Sequence, residues 1–386
     1  MNLKPSENWT NEFLNSKRQV TDPLADEVVR SIMQGHEKPE VNHLFQSIVG
    51  DDDQLPDSAP QEIKDYFQTT SILPEWADAD LIKLGQQVYI RHGVWISLLL
   101  TFKSLPECYA CAKGAEVLYR TGRLNEHHGS LNTFSRRIAE TAQFVFYSMK
   151  PNGLFSQGRG LRATQKVRLI HAVIRYYLKR EGWDANEYDE PINQEDMTGT
   201  LMAFSALILE GFETLGVTLS EVEKEAYIHC WRVIGHIVGM QEELIPDNYA
   251  DALDLGHTIL NDQTEESEQG KVLMAALLDF TESLSKLFFS KKTNILMMRL
   301  MMGDELSDLL AVPEANDEDI RKLQNRLRLI ARIAQWLDKS LVMAMVTQFF
   351  AQIMLQISIN YLTKSSVINF YLPKSLTKDW GVKQDQ

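Results

Sequence analysis

Residues 165–178 read Gln-Lys-Val-Arg-Leu-Ile-His-Ala-Val-Ile-Arg-Tyr-Tyr-Leu, and their spacing decides the fold class. Val167, His171, Ile174 and Leu178 fall at i, i+4, i+7 and i+11, which is one stripe of an α-helix. A half-buried strand would alternate apolar and polar residues, and this stretch does not. His171 thus sits inside an apolar stripe, with Arg168 and Arg175 one turn before and after it. Two cations and a low-dielectric setting both oppose the imidazolium form, so the ring is expected to be neutral. Neutral imidazole is the form that ligates a metal. A core histidine bonded to a carbonyl, with its arginines snorkelling to solvent, fits the same pattern.

Outward from this helix the same period recurs in both directions. The spacing predicts helices over 78–102, 105–120, 130–148, 160–181, 193–214, 219–240, 247–262, 267–290 and 317–360. Ser220 with Glu223 reads as a capping box opening the helix that carries His229. Pro151-Asn152-Gly153 and Gly158-Arg159-Gly160 mark a break. No long linker interrupts the middle of the chain. The expectation is an all-α protein: an N-terminal helical extension over 1–70, one helical domain over 71–345, and a C-terminal helical extension and tail over 346–386.

Composition narrows the function classes. Arginine and lysine number 39 against 53 acids, a formal net charge of −14. That balance disfavours nucleic acid, whose phosphates require a basic stripe, and it disfavours docking on anionic lipid. The apolar stretch 341–358 is interrupted by Thr347, Gln348, Gln352 and Gln356, so it reads as a buried or partner-facing helix and no transmembrane segment is expected. A polar N-terminus and three cysteines, Cys108, Cys111 and Cys230, point to a reducing, cytoplasmic setting without disulfides.

Other candidates are weaker. His229, Val233 and His236 share a face, but His229 and His236 stand about 10 Å apart along the axis, too far to bind one ion together. Their expected role is hydrogen bonding near the pocket, or contact with a cofactor. Gly235 and Gly239 would admit a second helix or a flat ligand. Arg137 and Thr141 form an i, i+4 pair beside Phe134, Ile138 and Val145, suited to bound dioxygen or a developing oxyanion, or else to a surface pair. Cys108-Tyr-Ala-Cys111 lacks a second CxxC, so packing is its expected role. Walker, dinucleotide and nucleophile-elbow motifs do not occur.

An ordered set of segments adds to this reading. It runs from Ser104-Leu105-Pro106, Lys113-Gly114 and Leu118 through Arg137-x-x-x-Thr141 to Ala163-Thr164-x-x-Val167-Arg168-x-x-His171-Ala172-x-x-Arg175. Pro191-Ile192-Asn193-Gln194-Glu195-Asp196, Thr200-Leu201-x-x-Phe204 and the run from Glu223 to Gly239 follow. Over roughly 75–300 the chain resembles the MpaB/rubber-oxygenase catalytic domain family, which includes latex clearing proteins. The resemblance implies a globin-like helical core binding haem b. His171 would then be the iron ligand, its helix would present Arg168 and Arg175 to the haem carboxylates or to neighbouring acids, and His229 and His236 would lie near the cofactor. Arg137 and Thr141 would face dioxygen. The implied activity is an oxygenase cleaving carbon–carbon double bonds of an apolar, isoprenoid-like substrate. Glu140 stands where latex clearing proteins can place a distal lysine. Two rival readings are a haem-binding sensor or carrier, and a cofactor-free interaction protein using methionine-rich faces around 296–302 and 341–350.

Overall fold

The computed structural model describes residues 9–35, 55, 59–121, 131–283 and 290–338. Helices begin where the sequence supplies caps. Thr10 accepts the Phe13 N–H to open α1 (Asn11–Lys17), and Pro23 opens α2 (Pro23–Gly35). After α3 (Gln61–Thr69), Asp78 accepts the N–H groups of Asp80 and Leu81 to start α4 (Ala79–Leu99). A π-helical turn, Leu100–Ser104, leads into α5 (Leu105–Ala110) and then α6 (Ala112–Arg120). Next come α7 (Leu131–Met149), α8 (Arg159–Arg180) and the short α9 (Ala185–Tyr188). Asn193 caps α10 (Gln194–Phe204), and α11 (Ala206–Leu215) ends at left-handed Gly216. The capping box of Ser220 and Glu223 forms as expected at α12 (Glu221–Val238). Asn248 caps α13 (Tyr249–Gln263), followed by α14 (Glu268–Ser283), α15 (Lys291–Leu309) and α16 (Asp317–Asp338). Among the described residues the β-type pairing is one isolated bridge, Cys111 to Thr264.

The all-α expectation holds, with local differences. The predicted helix over 105–120 divides at Cys111, whose extended backbone makes that bridge. The one over 193–214 divides at Ser205, where the backbone leaves helical geometry. Helix α15 has no counterpart among the predicted helices. Residues 339–386, including the apolar stretch 341–358 and the C-terminal extension, lie outside the described residues.

Two apolar clusters meet at α8. The larger gathers Ile82, Tyr89, Tyr227, Trp231, Ile234 and their neighbours around α4 and α12. The smaller packs Val29, Ile32, Tyr66 and Phe67 of α2 and α3 against Leu169, Val173 and Tyr177 of α8. Tyr66 also donates to the Gln165 carbonyl at 2.9 Å. The N-terminal helices therefore cover one flank of α8 and leave another flank for the site. No described helix is long and apolar enough to cross a membrane.

Helix α4 meets α12 closely at Gly85, where a Cβ would stand 2.2 Å from the Ala226 carbonyl oxygen. Backbone on the far side cannot give way as a side chain can. Gly85→Ala should cost about 1–3 kcal/mol by overpacking, read as a lower urea midpoint at unchanged slope.

Candidate functional site

A cavity of about 250 Å³ lies between α5, α6, α7, α8, α10, α12 and α13. Its wall is mainly apolar: Leu118, Phe144, Val167, Ile170, Ile174, Met197, Phe204, Trp231, Ile234 and Ile259 all border it. His171 enters from α8, with Arg137 and Thr141 from α7. The structure thus gathers three residues named from the sequence at one cavity.

His171 is part-exposed and borders that space; its Nδ1 is buried and has no hydrogen-bond partner among the described residues. Burial, with Arg175 and Arg137 adding repulsion, pulls its pKa down from 6.5 to about 3. The ring is neutral at physiological pH, as the apolar stripe implied. Thr141 donates its hydroxyl to the Arg137 carbonyl at 3.1 Å, an i−4 back-bond within α7. Arg137 forms a loose pair with buried Glu140, 3.7 Å apart, and is the single cation among the described lining residues.

Four other expected cofactor residues do not border the cavity. Arg168 donates from Nε and Nη2 to the two carboxylate oxygens of Asp22 at 2.6 and 2.8 Å. Arg175 donates to Asp26 at 2.7 Å and to the Ile192 carbonyl at 3.2 Å. Both arginines lie on the flank of α8 that faces the N-terminal residues, so local acids neutralise them. His229 accepts the Asp78 N–H through Nε2 at 2.8 Å, helping to seat the start of α4. His236 contacts Glu242 through Nδ1 and packs edge-on to Trp76. Helix α12 presents Trp231, Ile234 and Val238 to the cavity instead. Gly239 ends α12 with φ of 95°, and a Cβ there would lie 2.5 Å from Arg168 Nε. The close approach expected at this glycine is made by a side chain of the same protein.

Cys108 and Cys111, for which the sequence suggested packing, instead border the cavity, and with Asp196, Thr200 and Gln263 they form a polar edge that sequence reasoning missed. Arg18 holds Asp196 at 3.1 Å and buried Glu195 at 2.5 Å. Burial pushes Glu195 up to about 7 despite that arginine. Burial also pushes the Cys108 thiol up to about 12 and Cys111 well above its ordinary value, so both stay protonated. The capping pattern Asn193-x-x-Asp196 was legible, but the partner of Asp196, Arg18, is 178 residues away in sequence.

An apolar chamber inside a helical fold, bordered by a neutral histidine and an arginine–threonine pair, suits an apolar ligand with a few polar contacts. Residues 95–336 match the family described as "ER-bound oxygenase mpaB/B'/Rubber oxygenase, catalytic domain", and the chain belongs to it. Rubber oxygenase of Streptomyces sp. (strain K30) is 23% identical over 296 residues, spanning 76% of this chain and 71% of that protein. The solved structure of latex clearing protein LCP in the closed state superposes with a TM-score of 0.71 at 19% identity, covering 92% of this chain and 95% of that one. This likeness establishes the shared fold.

Two outcomes follow from the site. With the folded His171 pKa near 3 and the ordinary value 6.5, the unfolded chain binds more protons across that interval. The contribution of the neutral ring is therefore complete above the upper value and declines as pH falls toward the lower. His171→Leu should remove that part of the acid sensitivity, on the order of a few kcal/mol, measured as parent-minus-variant unfolding free energy against pH. Arg168→Ala should lower stability by about 3–5 kcal/mol, because it leaves Asp22 buried and unpaired; equilibrium unfolding measures it.

Proposed function

We propose that the cavity receives haem b with His171 as iron ligand, and that the protein uses dioxygen to cleave a carbon–carbon double bond in an apolar, isoprenoid-like small molecule. The observation that carries this reading is the neutral His171 with an uncommitted, buried ring nitrogen at the edge of an apolar chamber. A buried nitrogen without a partner costs about 1–3 kcal/mol, and retaining one beside a cavity suits a ligand role. Among the described residues no three His, Cys, Asp or Glu side chains converge on a common point. A single histidine suits an iron that already carries a macrocycle.

Bound haem would supply the oxygen chemistry. The chain's own part is positioning and exclusion. Phe144, Ile174, Phe204 and Trp231 exclude water and accept hydrocarbon, whose burial is worth about 25 cal/mol per Å². Arg137, loosely held by Glu140, offers guanidinium N–H donors to developing negative charge. Thr141 presents a hydroxyl oxygen that accepts a hydrogen bond while its proton is held by the Arg137 carbonyl. Arg168 and Arg175 support His171 indirectly, by fastening α8 to Asp22 and Asp26.

An absorption spectrum of protein expressed with a haem precursor tests the assignment. The parent should show a Soret band and His171→Ala should lose it; equal haem retention in both would remove His171 as ligand. Arg137→Met should keep haem content while oxygen uptake coupled to loss of an isoprenoid alkene falls by about 10²-fold or more. A haem-loaded parent that consumes neither oxygen nor alkene would instead support a sensor or carrier.

A further inference from the structure

Between residues 320 and 337, α16 holds Arg321, Lys322, Arg326, Arg328 and Arg332 and no acid, in a chain of net charge −14. Its inner face buries Leu327 and Ala331. Arg328 Nε and Gln324 donate to the Thr214 carbonyl at 3.1 and 3.3 Å, which fixes the rotation of the helix about its axis. At 100° per residue, Leu329, Ile333 and Trp336 then point away from that inner face. They are 54, 51 and 70% exposed, and Ile330 beside them is 53% exposed. Lys322 pairs with Glu318 at 2.6 Å. Arg321, Arg326 and Arg332 are exposed, and no carboxylate among the described residues pairs with them. The outward side is thus an apolar stripe with a tryptophan, flanked by guanidinium groups that no described carboxylate neutralises.

We propose that this outer face of α16 docks on an anionic lipid surface. Apolar side chains would enter the boundary of the acyl chains, and the arginines would meet headgroup phosphates, which the guanidinium fork binds in pairs. Net charge had argued against anionic lipid, but screening limits the reach of distant acids to roughly 10 Å, so the acid-free stretch 320–337 governs contact, with Asp317, Glu318, Asp319 and Asp338 confined to the two ends of the helix. A second copy of this face would set arginines against arginines, which opposes self-association. The chain's own residues 339–386 contain Lys339, Lys364, Lys374, Lys378 and Lys383 against Asp379 and Asp385. They offer few carboxylates to the arginines, and they repeat the basic and apolar combination of α16. The inference does not depend on haem, and none of these residues borders the cavity.

Flotation of the full-length protein with phosphatidylcholine vesicles, with and without phosphatidylglycerol, tests the proposal. The parent should float with phosphatidylglycerol vesicles, less so at high salt and weakly with phosphatidylcholine alone. The double variants Ile333→Glu/Trp336→Ser and Arg326→Glu/Arg332→Glu should each lower the bound fraction about tenfold or more, with unchanged circular dichroism and oxygen uptake. Absence of flotation, or flotation equal in parent and variants, would overturn the assignment. Two further results would also overturn it: a dimer in sedimentation velocity that Ile333→Glu dissolves would assign the face to a second copy. Failure of maleimide to label Ile333→Cys in lipid-free protein would assign it to residues 339–386.

Discussion

Arg168 and Arg175 are neutralised from the flank of α8 that turns away from the cavity, by Asp22 and Asp26, and the apolar character of the chamber rests on that. Had these cations faced inward, the cavity would need acids of its own and would be wet. Placed outward, they bind the N-terminal helices to α8 through bonds of 2.6 to 2.8 Å. The field of Arg175 still reaches His171 and, with burial, keeps it uncharged. One helix therefore holds an ionic seam on one side and a neutral, oil-like wall on the other.

Much of this was legible in short-range pattern. The stripe of Val167, His171, Ile174 and Leu178 specified the helix, and the cations beside it implied a neutral ring. Ser220 and Glu223 marked a helix start because a capping box is local chemistry. Arg137 and Thr141 reached the cavity as their place beside an apolar face implied. What escaped depended on partners distant in sequence. Nothing in the surroundings of Arg168 names Asp22, 146 residues earlier, and the fate of His229 was decided by a backbone N–H of Asp78. Helix α15 was missed because its apolar residues, among them Leu296, Met297, Met298 and Met301, form a run rather than a stripe, and Gly303 breaks it with φ of 76°. The breaks at Cys111 and Ser205 stand beside contacts that periodicity does not carry: Cys111 bridges to Thr264, and the Phe204 carbonyl accepts the Tyr227 hydroxyl.

The cavity is chemically lopsided. Most of its wall offers only dispersion contacts, while polar groups gather at two places: Arg137 with Thr141, and Asp196 with Thr200 and the two cysteines. Arg18 satisfies the carboxyl of Asp196, and the cysteine thiols remain protonated, so the second place is polar without being reactive at neutral pH. That contrast leaves Arg137 as the lining charge able to respond to a change in its surroundings.

The π-helical turn at Leu100–Ser104 sets an azimuth. Its hydrogen bond runs from the Leu105 N–H to the Leu100 carbonyl, five residues back, so it holds one residue more than an α-turn would. That extra residue rotates everything after it by about 100° relative to a continuous helix. Helix α4 faces α12 before the turn, whereas Cys108 and Cys111 after it face the cavity. A single inserted residue thus acts as a phase shifter, letting one continuous run of chain serve the core with one side and the chamber with another.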